Sequence, residues 1–167
     1  MTVAVVLQTI ATATFVAGAI FAAVQLLLAR RSREREGALE ILRFFHTPDF
    51  ARALRLMYDL PPGLSREEIA RRLGDDMALV EAMMLSWESL GVLVFRRELD
   101  LSLVDDFVSG AIVLSWRKLD RYVREEREAR GRATLLEWFQ WLAERMTERE
   151  AATPPVPAYE AHRDWKP

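Results

Sequence analysis

Residues 2–29 read TVAVVLQTIATATFVAGAIFAAVQLLLA, and residues 30–36 that follow read RRSRERE. The first 29 residues carry no charged side chain. About 20 consecutive apolar residues cross the hydrocarbon core of a bilayer as a helix, so this stretch is long enough to span it with some tilt. A cleaved signal peptide has a positive leading region and a shorter apolar core of about 7–15 residues. This segment has neither, and a cut after "AGA" at 17–19 would leave IFAAVQLLLA exposed on the mature chain. The sequence therefore predicts an uncleaved single-pass anchor over residues 1–29.

Arg30, Arg31, Arg33 and Arg35 follow the span directly, within a basic juxtamembrane segment at 30–37. The positive-inside rule then places the C-terminal part in the cytoplasm, on the inner face of the cytoplasmic membrane, with the short N-terminus outside. Arginines at that depth attract anionic headgroups, each by about 1 kcal/mol, so the bilayer is the first expected partner. Within the span, Thr14, Gly18 and Ala22 recur at four-residue steps. Small residues at that spacing let a second helix approach closely, which points to self-association or another membrane protein. The same abundance of alanine also suits a GC-rich genome.

The 167 residues contain 23 basic and 25 acidic side chains, two histidines and no cysteine. That balance leaves no electrostatic footprint for nucleic acid. Without cysteine there is no disulfide framework, no thiolate nucleophile and no cysteine-based zinc site. His46 and His162 have no ligand-spaced neighbour, so no metal or cofactor is expected, and His46 suits a helix C-terminus.

Beyond the basic segment, residues 38–150 predict one all-α cytoplasmic domain, a small helical bundle. Leu39, Leu42 and Phe45 continue the anchor helix. Thr47 and Pro48 then restart the chain as N-cap and first helical residue, and Phe50, Ala53, Leu54, Met57 and Tyr58 make one apolar face. "PPG" at 61–63 ends that helix. Ser65 and Glu68 form a capping box before Ile69 and Leu73, with Gly74 as a left-handed cap. Asp75 or Asp76 opens the next helix, whose inner face is Val80, Met83, Met84 and Trp87 and which Gly91 closes. "VLVF" at 92–95 reads as a short extended piece. Ser102 and Asp105 announce a long helix with Phe107, Val108, Ala111, Ile112, Leu119, Tyr122 and Val123 facing the core and a solvated charged end. Thr134 and Glu137 introduce a last helix carrying Leu135, Trp138, Phe139, Leu142 and Met146. Residues 151–167 form a proline-rich tail expected to be disordered.

The carboxylate pairs Glu67/Glu68, Asp75/Asp76 and Asp105/Asp106 each fall in a first helical turn, where negative charge is favoured without any catalytic role. No catalytic constellation is present. The stretch LSREEIARRLGDDMALVEAMMLSWESLGVLVFRR at 64–97 has a winged-helix-like rhythm, yet between Gly74 and Phe95 it offers no Arg, Lys, Asn or Gln to read a base or hold a phosphate. Glu88 follows Trp87 in an apolar helix and is expected to be a buried structural carboxylate, paired with an arginine of the long helix or with Arg96 or Arg97.

The order of features, a bare N-terminal span, a basic stop, "FFHTPDF" at 44–50 and "WESLGVLVFRRELDLSLVDDFVSGAIVLSW" at 87–116, resembles the bacterial family known as domain of unknown function 4760. The most specific residues are Trp87, Glu88, Gly91 and Val94, then Asp100 to Val104, then Trp116. The resemblance covers residues 15–146 and implies a single-span protein with a small helical cytoplasmic domain, without an activity or site residues.

The functional expectation is a non-enzymatic, membrane-tethered interaction module: an accessory or scaffolding subunit of a membrane complex, or a homo-oligomer. A signalling or stress-response membrane component is the alternative. An enzyme acting on lipid headgroups and a DNA-binding regulator rank below both.

Overall fold

A computed structural model describes residues 12, 14–26, 43 and 45–166, and divides the chain into two units, Met1–Leu42 and Arg43–Pro167. In the first unit α1 (Thr14–Leu26) is an apolar helix. Every one of its residues is exposed, Phe15 at 78% and Phe21 at 65%. Thr14, Gly18 and Ala22 lie on it, and a Cβ built on Gly18 would meet nothing within 4 Å. The rest of the expected span and Arg30, Arg31, Arg33 and Arg35 lie outside the described residues.

The second unit is built of helices, and no strand occurs among the described residues. Its elements are α2 (Pro48–Asp59), α3 (Arg66–Leu73), a 3-10 turn (Gly74–Asp76), α4 (Met77–Phe95), α5 (Leu101–Arg130), α6 (Glu137–Ala152) and α7 (Ala158–Ala161). Thr47 caps α2, its hydroxyl accepting from the Phe50 N–H, with Pro48 at the first turn. Ser65 and Glu68 close the capping box of α3.

α4 is the hub. One face packs against α2 and another against α6, while α5 packs against α2, α3 and α6. This explains why α4 is apolar around most of its circumference rather than on one stripe. Val80, Met83, Met84 and Trp87 are buried there, against Met57 of α2, Ile69 of α3, Ile112 and Leu119 of α5, and Phe139, Leu142 and Met146 of α6 in the common core. Each such side chain contributes about 1.5–3 kcal/mol on leaving water. The continuous helical run Arg66–Phe95 is the one described helix long and apolar enough to cross a membrane. Its buried methionines and Trp87 instead make it the centre of this domain.

Several local expectations are corrected. Residues 92–95 are not extended but form the last turn of α4, and Gly91 sits inside the helix. With Leu90, Gly91 and Val94 buried, tertiary packing overrides the β-propensity of the valines. α5 starts earlier than Ser102 and Asp105 implied: Asp100 is its N-cap and accepts from the Ser102 N–H at 2.7 Å. Asp76 flanks α4 without capping it and pairs with Arg52 at 2.7 Å. Along α5 the buried apolar set is Val104, Ile112, Val113, Leu119, Tyr122 and Val123, whereas Phe107 is 43% exposed. Thr134 and Glu137 make no capping box, for the chain turns through residues 132–136 and α6 begins at Glu137. In the tail, α7 is a four-residue helical turn where coil was expected, with Tyr159 and Trp165 exposed.

Candidate functional site

The N-terminus of α6 has no cap of its own. Leu136 occupies the N-cap position in the left-handed region, φ 55°, and supplies no side-chain acceptor. The first amides of a helix need partners when they are removed from water. Glu88, on α4, provides one: its carboxylate accepts from the Phe139 N–H at 2.7 Å. This corrects the expected arginine partner. The positive end of a helix dipole and its free amides serve a carboxylate as well as a guanidinium does. Partial burial pushes the Glu88 carboxyl above its usual range, against the opposing pull of the Phe139 and Trp138 amides.

One turn further along α4, Gly91 lies against the same segment. A Cβ there would stand 2.4 Å from the Trp138 carbonyl oxygen and 2.8 Å from its carbon, closer than any side chain tolerates. Only glycine lets α4 and α6 approach this nearly. Trp87, fully buried, packs against Phe45 and Phe50, with ring centroids 5.0 and 5.3 Å away. Val94, one turn beyond Gly91, is buried as well. The spacing Trp-Glu-x-x-Gly-x-x-Val thus acquires a physical meaning as a docking segment for the start of α6.

From α5, Arg127 clamps the same junction. Its Nε donates to the Leu135 carbonyl at 2.8 Å, and its terminal nitrogens donate to Gln140 Oε1 at 2.7 Å and the Leu136 carbonyl at 3.3 Å. Sequence reasoning missed Arg127, because in the run RYVREEREAR nothing separates it from its solvated neighbours.

With residues 12–146 matched by the family model described as Domain of unknown function (DUF4760), the helix-docking segment falls within the matched region. The chain belongs to this family. No curated protein and no solved structure matches it. The DUF4760 segment accordingly rests on the packing just described.

A second cluster joins α3, α4 and α5 in this DUF4760 chain. Glu126, 4% exposed, is ion-paired to both Arg66 and Arg130. Burial alone would raise its carboxyl, but the two guanidiniums outweigh it and hold it below the usual range. Glu125 accepts from the Arg66 N–H, which lowers its carboxyl too. Beside them the Tyr122 hydroxyl donates to Glu81 at 3.1 Å, and burial pushes the phenol upward. The charged end of α5 is therefore partly interior, a correction to its reading as a solvated surface. Of the carboxylate pairs, Asp105 holds Arg149 at 2.6 Å, Asp76 holds Arg52, and Glu68 is committed to its capping box. Each is occupied in joining elements or closing a helix end.

An open groove of 490 Å³ runs between α2 and the start of α5, lined by Phe50, Leu54, Tyr58, Trp87, Phe107 and Gly110 among others. It is apolar, with Asp105 and Asp106 at its wall.

Proposed function

We propose that this DUF4760 protein is a membrane-tethered helical interaction module, working as an accessory or scaffolding subunit of a membrane complex or as a homo-oligomer. The observation that carries the reading is α1, whose Phe15, Val16, Ile20, Phe21, Val24 and Leu26 are all exposed. A helix whose large apolar side chains are exposed needs an apolar surrounding, and a bilayer supplies it. The uncharged stretch around α1 and the four arginines after it support a single span with the helical domain on the inner, cytoplasmic side. Asp76, Asp105, Glu68, Glu88 and Glu126 are engaged at helix ends or in ion pairs, which supports a binding role.

Alkaline extraction of membranes from cells making the full chain tests the tether. The protein is expected in the membrane pellet, with the domain digested by protease only after the inner membrane is opened to the cytoplasmic side. Recovery in the soluble fraction would overturn the proposal. A chain lacking residues 1–29 is expected to be soluble.

A further inference from the structure

Two helices end in the same hydrogen-bonded turn. At the end of α5, the Gly131 N–H donates to the Glu128 carbonyl and the Arg132 N–H to the Arg127 carbonyl, with Gly131 at φ 61°. At the end of α4, the Arg97 N–H donates to the Val94 carbonyl and the Glu98 N–H to the Leu93 carbonyl, with Arg97 at φ 60°. This is the Schellman motif, in which glycine is the favoured left-handed residue. α5 uses glycine there and α4 uses arginine, so the turn at α4 holds a strained backbone while displaying a long cationic side chain. Strained backbone of this kind clusters at functional sites.

The surface beside it is aromatic. Phe95 is 57% exposed, and its ring lies 4.6 Å from that of Trp138 and 5.9 Å from that of Trp141, which are themselves 6.0 Å apart. Both tryptophans are half-buried. Arg96 and Arg97 are exposed, and neither guanidinium forms an ion pair among the described residues. Tryptophan and phenylalanine side by side with free arginines fit the headgroup region of an anionic bilayer, where indoles settle at the interface and guanidiniums meet phosphates.

We infer that Phe95, Trp138, Trp141, Arg96 and Arg97 form a docking face for the surface of an anionic phospholipid membrane, the one the anchor crosses. The inference rests on the tethered reading above. Glu98 and Glu137 are also exposed nearby, so the electrostatic attraction is modest and insertion of the aromatic rings carries much of the contact. A tether makes this sufficient, because it raises the local concentration of membrane to the point where a weak face is occupied.

The test uses the full chain with Trp165→Phe, reconstituted into vesicles of phosphatidylcholine with or without phosphatidylglycerol. The lipids carry bromine high on the acyl chain, where it quenches an indole in contact. With phosphatidylglycerol present, tryptophan emission is expected to fall several-fold more than in a Trp138→Phe/Trp141→Phe variant. Arg96→Glu/Arg97→Glu, which keeps both indoles, is expected to lose most of that quenching. Arg97→Gly is expected to lose part of it while the domain becomes more stable, a split that a purely structural arginine would not give. Equal quenching in the parent and all three variants would overturn the docking face. Flotation of the same samples separates the two ideas: protein that floats but is unquenched refutes the docking face alone, and protein that does not float refutes the tether and the docking face together.

Discussion

Gly91 is the position where one atom has the largest expected effect. Gly91→Ala places a methyl group against the Trp138 backbone, which cannot rotate away as a side chain does. The helices must separate, and overpacking of this kind costs about 1–3 kcal/mol. Denaturant titration of the variant is expected to show that loss in the midpoint with an unchanged slope; an unchanged midpoint would contradict the packing described. Glu88→Ala removes the side-chain acceptor that the Phe139 N–H finds at the start of α6 and is expected to cost about 1–2 kcal/mol, the usual worth of a helix cap. Arg97→Gly runs the other way. Relieving a left-handed arginine is expected to stabilise the domain by about 1 kcal/mol, and a fall in thermal midpoint would contradict the assignment.

At the scale of elements, Glu126 ties α3 to α5 through Arg66. Its carboxyl lies below the unfolded value, so the unfolded chain binds the proton more readily. The stability this gives is present above the ordinary glutamate range and is lost as pH falls through the depressed folded value. Glu88 has the opposite sign: its raised carboxyl favours the protonated fold, and its contribution declines as pH rises from the unfolded value through the folded one. Glu126→Gln is therefore expected to lower stability at neutral pH by about 1–3 kcal/mol, the worth of hydrogen bonds to a charged group, and to flatten the acid limb of a stability-against-pH curve, and a limb of unchanged steepness would contradict the pairing. Much of the element order was legible in advance, because Thr47-Pro48 and Ser65-x-x-Glu68 satisfy their own helix starts locally. The start of α6 was not, since its acceptor comes from a residue 51 positions earlier. The end of α4 was misread for a related reason: "VLVF" looks extended in isolation and is helical because Leu90, Gly91 and Val94 are buried in the core. Of the candidate residues, Glu88 stood out through its apolar neighbours, whereas Arg127 and Arg97 owe their roles to fold geometry that composition does not encode.

Across the whole molecule, two regimes meet in one chain: a helix with its apolar residues exposed, and a bundle in which Glu88, Glu126 and their partners hold helices together. In the proposed reading the first sits in the bilayer, and the second offers two surfaces, the groove between α2 and α5 and the aromatic face where α4 ends and α6 begins. If α1 crosses the bilayer as proposed, close packing through Thr14, Gly18 and Ala22 is the expected route to assembly. Native mass spectrometry of the full chain, released from membranes in mild detergent and compared with a chain lacking residues 1–29, tests this most directly. A defined complex heavier than one chain, lost when the anchor is removed, is expected. A lone monomer in both forms at every concentration would contradict it.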